Sequence, residues 1–355
     1  MFRISKRTDI PSSKAALIRI SAILLALVTS GIFISILGHS PIEVYVSMVS
    51  GAFGNAGRIK ETLIRTIPLI ITSLGIGVAF RMKFWNIGGE GQILMGALGA
   101  SYIALNYPDL PKVLLLTLMV IAGTVCGGLY ALIPAFFKAR YGTNETLFTL
   151  MLNYIAQKFI TYLQYGPWKD PKAMGFPKIA NFSDNAILPN LFGLHIGWIF
   201  AIILTVAMHV FINYTKKGYE INVVGESENT ARYAGMNVSR IIMISLFISG
   251  GLCGLTGMIE ASAVSNTLSV QITSGVGFTA IITTWLAQLS APLTVVVSLL
   301  FAALVQGGSF IQTVFQIPQS AAQMLQGMIL FFVLGSEFFI QYKLVFSGIK
   351  RKEAA

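Results

Sequence analysis

Of the 355 residues, 55% are hydrophobic and only 11% are charged, and the mean hydropathy is +0.73. A soluble chain carries roughly 25% charged residues to clothe its surface, so this balance excludes a cytosolic enzyme, a secreted disulfide scaffold and a disordered tail protein. The formal charge of +11 is no nucleic-acid footprint, because the basic residues sit between apolar runs and are not interleaved with aromatics. The expected surroundings are a lipid bilayer.

A helix needs about 20 apolar residues to cross the hydrocarbon core. Ten runs approach that length: 15–37, 62–80, 88–105, 113–136, 147–165, 197–214, 241–262, 276–289, 292–308 and 321–339. The first follows Arg3, Lys6, Arg7 and Lys14, but it is too long for a signal peptide and lacks an A-x-A cleavage site, so it reads as a retained anchor. The eighth measures only about 21 Å at 1.5 Å per residue and reads as a half-span or a tilted short helix. With ten spans and the N-terminus inside, most of the 25 Lys and Arg fall on the cytoplasmic side, as orientation by basic loops requires. The chain therefore reads as one all-α transmembrane domain over 1–355. Residues 1–14 and 343–355 are expected in the cytoplasm, 166–195 outside, and 216–240 inside.

Glycine spacing gives the packing. Gly123 and Gly127, and Gly250 and Gly254, lie four apart, which lets helix backbones touch where lipid supplies no hydrophobic drive for association. The Gly88, Gly89, Gly91, Gly96 and Gly99 series does the same for the third run. Cys126 and Cys253 sit beside glycines in apolar runs and read as packing residues. No Gly-Lys-Ser or Gly-Lys-Thr occurs, so the chain lacks the usual cradle for a nucleotide phosphate. His39, His195 and His209 lack the spacing of metal ligands. Neither a cofactor nor covalent chemistry is expected of this chain.

Two groups of polar residues invite function. Inside 216–240, Ser227 suits an N-cap, Glu228 the positive end of a helix dipole and Gly235 a left-handed stop. The resulting helix of about two turns offers Ala231, Tyr233, Ala234 and Met236 to a partner's groove, or lies on lipid headgroups. At the start of the third run, Asn86 suits a cap and Glu90 the first turn. Alternatively, Glu90 and Gln92, with Asn86, fix an interrupted helix beside a solute path, since ionisable groups at membrane depth tend to face a cavity or a partner. Thr149, Asn153 and Gln157 share one face of the fifth run, where they meet a passing solute or hydrogen-bond to another helix. Phe278 is a candidate gate or a packing residue.

Three stretches carry a family resemblance. Val224, Gly225, Glu226, Ala231, Arg232, Tyr233, Ala234, Gly235 and Asn237 match V-G-E-N-P-x-A-A-R-Y-A-G-I-N, by which permeases of bacterial ABC importers engage their ATPases. Phe84-Trp-Asn-Ile-Gly-Gly-Glu-Gly-Gln92 resembles F-N-I-G-A-E-G-Q, and Asn144–Ala156 resembles N-E-x-I-x-T-x-M-L-N-Y-I-A. The chain is identified as a member of the branch serving nucleosides, simple sugars and branched-chain amino acids, and is most similar to guanosine-type nucleoside permeases that work with a membrane-anchored lipoprotein receptor. The resemblance implies a type II importer-like permease in a bacterial plasma membrane, with the loop from Gly225 to Met236 docking a separate ATPase that holds ATP and Mg2+. A monosaccharide or branched-chain amino acid is the alternative cargo, and an ion-coupled secondary transporter the alternative class. The family's G-x-G-F-D-G-I-A stands here as Gly275-Val-Gly-Phe-Thr-Ala-Ile-Ile282, with Thr279 in place of the acid. A second, unlike permease that supplies the acid, hence a heterodimer, is the expectation that follows.

Overall fold

The computed structural model describes residues 2–6 and 11–346. Arg7, Lys350, Arg351 and Lys352, which count among the basic residues expected on the cytoplasmic side, lie outside the described residues. Every one of the ten apolar runs is helical: α1 (Ser12–Ile36), α3 (Ala56–Arg81), α4 (Gly89–Asn106), α5 (Lys112–Tyr141), α6 (Glu145–Tyr165), α7 (Gly197–Tyr214), α10 (Val238–Ile259), α11 (Val276–Leu286), α12 (Ala291–Val314) and α13 (Gln319–Gln341). Three further helices are absent from the apolar runs: α2 (Pro41–Phe53), α8 (Lys216–Glu226) and α9 (Glu228–Tyr233), of which α9 is the short helix expected after Ser227. Two short antiparallel pairs also form, β1 (Phe2–Lys6) with β4 (Tyr342–Phe346) and β2 (Asn190–Leu191) with β3 (Leu194–His195), beside 3-10 turns at Asp184–Ala186 and Val270–Thr273.

Seven of the described helices are long and apolar enough to cross a membrane: α1, α3, α5, α7, α10 with its π-helical extension to Ser265, α12 and α13. The run at 276–289 has the length of the half-span that its sequence suggested. Its helix α11 stops at Leu286, and 11 residues reach only about 16 Å, roughly half of the ~30 Å hydrocarbon core.

The chain forms two compact units. In the first, Met1–Ile59 with Ala303–Ala355, helix α2 begins with Pro at its first position and Glu43 in its first turn, a good start for a helix. It turns Val44, Met48, Gly51 and Ala52 inward, toward a core that includes Ile34, Ile311, Ile317 and Leu325. Arg19 on α1 pairs with Glu337 on α13 at 2.8 Å.

The second unit, Lys60–Ala302, is built around a seam of glycines. A Cβ on Gly127 of α5 would stand 2.6 Å from Gly254 Cα, and one on Gly96 of α4 would overlap Gly254 itself. Helices α4, α5 and α10 therefore touch backbone to backbone. Both cysteines line such contacts: Cys126 Sγ lies where a Cβ on Gly99 would go, and Cys253 Sγ is near Gly75.

Between α6 and α7, β3 buries His195 against Gly197 and Ile259. The ring is 3% exposed, and neither nitrogen has a hydrogen-bond partner. Burial pushes its pKa down from 6.5 to about 4. The unfolded chain then takes up a proton near pH 6.5 while the folded one resists until about pH 4. This residue's contribution is complete above pH 6.5 and is lost as the pH falls toward 4, by up to about 3 kcal/mol. Melting curves at pH 7 and pH 5 should show a drop for the parent that is smaller in His195→Phe. An identical drop in both would remove His195 from the acid sensitivity.

Candidate functional site

Helix α4 begins in the interior of its unit, and its exposed N–H groups are met from outside. Its N-cap is Gly88, which has no side chain to offer, so the expectation that Asn86 caps the helix is corrected. Asn86 instead accepts from Gly88 N at 3.0 Å in a local turn, and its amide pairs both ways with Gln92, at 3.1 and 3.0 Å. Its Nδ2 also reaches Ser249 on α10 at 3.1 Å. The missing cap comes from α6: Asn153 Oδ1 accepts from Gly91 N at 2.8 Å while its Nδ2 donates to Ile87 O at 2.8 Å. Thr149, one turn earlier, accepts from Ile87 N at 3.2 Å.

The same device is repeated one helix on. Glu90, 1% exposed, accepts from Gly277 N at 2.8 Å and more weakly from Phe278 N at 3.4 Å. These are first-turn donors of α11, whose own N-cap is Gly275 in a left-handed conformation. The positive ends of two helix dipoles, α4 and α11, thus converge on one carboxylate. The approach is tight enough that a Cβ on Gly277 would lie 2.9 Å from the Gly89 carbonyl carbon.

Asn86, Glu90, Gln92, Thr149 and Asn153 are therefore buried and bonded within the chain. Of the residues proposed for a solute path, Gln157 is half-buried and Phe278 is exposed, at 42%. Two aromatic residues that sequence reasoning missed share this region. Trp285 lies two turns beyond Phe278 on the same face of α11, and Trp85 stacks on it with centroids 5.4 Å apart. The seven-residue spacing from Phe278 to Trp285 was the available signal. Thr279 keeps its hydroxyl on Gly275 O.

The second site is the segment from α8 to α10. Thr215 caps α8 by accepting from Gly218 N, Ser227 caps α9 by accepting from Thr230 N, and Asn237 caps α10 by accepting from Arg240 N. Helix α9 closes with Gly235 at φ +74°, its N–H on Arg232 O, and Met236 N on Ala231 O, the paired bonds of a Schellman stop. Ala231 is fully buried and Met236 is half-buried against the unit's own core, so they root the turn. Arg232, Tyr233, Ala234 and Gly235 project, with Tyr233 94% exposed. Gly225 is buried against the Arg81 carbonyl, where no Cβ fits, and Glu226 is exposed.

A polytopic helical protein with a short, capped, internally rooted tip and helices that start in its interior has the construction of a membrane permease. The family model described as branched-chain amino acid transport system, permease component, matches residues 58–334. The chain belongs to this family of ABC transporter permeases and is a multi-pass transport subunit. It is similar to a glucose ABC transporter permease protein of Haloferax volcanii, 32% identical over 96% of this chain and 93% of that one. A guanosine ABC transporter permease protein of Bacillus subtilis is 30% identical over 95% and 97%, and a nucleoside ABC transporter permease protein of Lactococcus lactis subsp. cremoris is 30% identical over 90% and 91%.

Proposed function

We propose that this chain is the permease subunit of an ABC importer for nucleosides in the plasma membrane, with both termini and residues 216–240 in the cytoplasm. The observation that carries the reading is the α9 tip. Tyr233 stands almost wholly exposed on a turn rooted by a fully buried Ala231, and an ordered aromatic held into solvent in this way suits a groove on another protein. A separate ATPase, which binds ATP and Mg2+, receives Arg232 to Gly235. A substrate-binding lipoprotein delivers the cargo to the opposite face, over 166–195. A second permease, unlike this one, lies across the path and supplies the acid that Thr279 lacks. Phe278, Trp285, Trp85 and Gln157 border that path, where ring faces and an amide suit a flat base and a ribose. Asn86, Glu90, Gln92, Thr149 and Asn153 hold its frame.

A hexose is the second reading, favoured by the glucose permease relative, because ring faces also receive sugars. Labelled guanosine uptake into vesicles carrying the whole complex separates the two. Uptake should require ATP and fall with excess adenosine or cytidine but not with glucose. Competition by glucose alone, or uptake unchanged by ATP, overturns the nucleoside importer. In the same assay Ala234→Glu, at an exposed position, should leave insertion and melting unchanged and reduce uptake to background, because a charge driven into a packed contact without a partner costs several kcal/mol. Full uptake in that variant would remove α9 as the docking element.

A further inference from the structure

At the junction of α3 and α4, one side chain joins two elements that lie far apart in sequence. Arg81, the last residue of α3, donates from Nη2 to Leu289 O at 2.7 Å and from Nη1 to Asn222 Oδ1 at 3.3 Å. Leu289 belongs to the turn that ends α11, and Asn222 lies on α8. The planar fork of a guanidinium reaches two acceptors at once, which a lysine ammonium on a single stem does less well.

Both ends of this bridge are built for close transmission. On the α8 side, the Arg81 carbonyl sits where a Cβ on Gly225 would be, and Lys83 Nζ donates to Glu226 O at 3.4 Å. Ser227, the cap of the docking turn, follows directly. On the α11 side, Gln288 and Leu289 have φ of 51° and 59°, a conformation that non-glycine residues hold only when their surroundings impose it. The Arg81 bond to Leu289 O is one such support.

Helix α11 is short, about 16 Å, and lies between two kinks, with Ser274 and Gly275 left-handed before it and Gln288 and Leu289 after it. Near its C-terminal end it is bonded to α3: Thr284 donates to Ser73 O at 3.0 Å, and the Ser73 and Thr283 hydroxyls pair. A continuous helix of about three turns is held by its own backbone bonds and moves as a unit when one end is displaced. A cleft of about 390 Å³ beside the terminal turn, bordered by Arg81, His209, Asn213 and Leu289, gives that end room. Phe278 sits at the other end, in the turn held by Glu90.

We propose that Arg81 is the positioning residue that passes a displacement of the α8–α9 segment to α11, and so moves Phe278. The proposal rests on the reading of α9 as the ATPase-docking element. The test uses the complete complex with Phe278→Cys as reporter in a Cys126→Ala, Cys253→Ala background. The rate of thiol alkylation at position 278 is measured with and without a non-hydrolysable ATP analogue. The parent should show a several-fold nucleotide-dependent change in rate. Arg81→Ala should still co-purify with the ATPase, hydrolyse ATP, and lose that change, and Arg81→Lys should recover only part of it. Asn222→Ala, which removes one arm at a half-buried site and leaves α3 intact, should weaken the response if Arg81→Ala fails to fold. A response in Asn222→Ala and Arg81→Ala equal to the parent's overturns the role of Arg81 and leaves the docking reading standing. That role is overturned equally if Arg81→Ala fails to fold and Asn222→Ala responds as the parent does. A parent complex without any nucleotide response overturns the transmission to Phe278, while the docking reading stands or falls on uptake by Ala234→Glu.

Discussion

Gly254→Leu should leave no folded permease in detergent. The glycine stands at the crossing of α4, α5 and α10, and an added Cβ would overlap the Gly123 carbonyl oxygen and approach Gly127 Cα to 2.9 Å. These are backbone atoms, so no rotamer change can make space; the helices themselves must separate. Over-packing costs about 1–3 kcal/mol where side chains can adjust; here whole helices must part, so the cost exceeds that range and falls on a reserve of only about 5–15 kcal/mol. Separation would also break the close contact that holds α4, and with it the Asn153 and Glu90 caps. Gly254→Ala should be intermediate, because it brings the same Cβ but no further atoms. Gly327→Leu on α13 serves as a control, since a Cβ there meets nothing within 4 Å. Monodispersity on size exclusion and a melting curve report the result. A Gly254→Leu protein that melts with the parent would mean that the seam is not what fixes these helices.

That seam is visible in the sequence as a four-residue spacing, because the requirement for small residues is local to each helix. Its partners are not visible, since nothing in Gly250-x-x-x-Gly254 says that Gly96 on α4 also meets it. The α9 turn is legible for the same reason: Ser227 and Gly235 encode a start and a stop within nine residues. Helix α2 escapes a search for 20-residue apolar runs because it has only 13 residues, although Pro41 and Glu43 mark its start. Asn86 misleads because a cap-type residue before a helix competes with an Asx turn two residues on, and here the turn wins. Asn153 reads from sequence as solute contact or interhelical bond with equal warrant, and the structure shows the bond. Arg81 carries no signal at all. Its acceptors lie 141 and 208 residues away, and only the fold brings them together.

Glu90→Leu should abolish uptake while much of the fold persists. The substitution leaves Gly277 N–H without its acceptor in a site that water does not reach, and each buried donor so stranded costs about 1–3 kcal/mol. The start of α11, already dependent on two left-handed residues before it, should then fray, and Phe278 with it. Glu90→Gln separates geometry from charge. Its amide oxygen can still accept from Gly277 N, so the turn should hold, while the attraction between a carboxylate and the converging positive ends of α4 and α11 is removed. If the acceptor is what matters, Glu90→Gln keeps most uptake and the hydrogen-exchange protection of residues 276–280 stays near the parent's, whereas Glu90→Leu loses both. If the charge is what matters, the two variants fail alike, and the carboxylate is an electrostatic anchor for both helices. Undiminished protection and uptake in Glu90→Leu would show that α11 keeps its start by the close packing of Gly277 on the α4 backbone, and that the contact from Glu90 is incidental to transport.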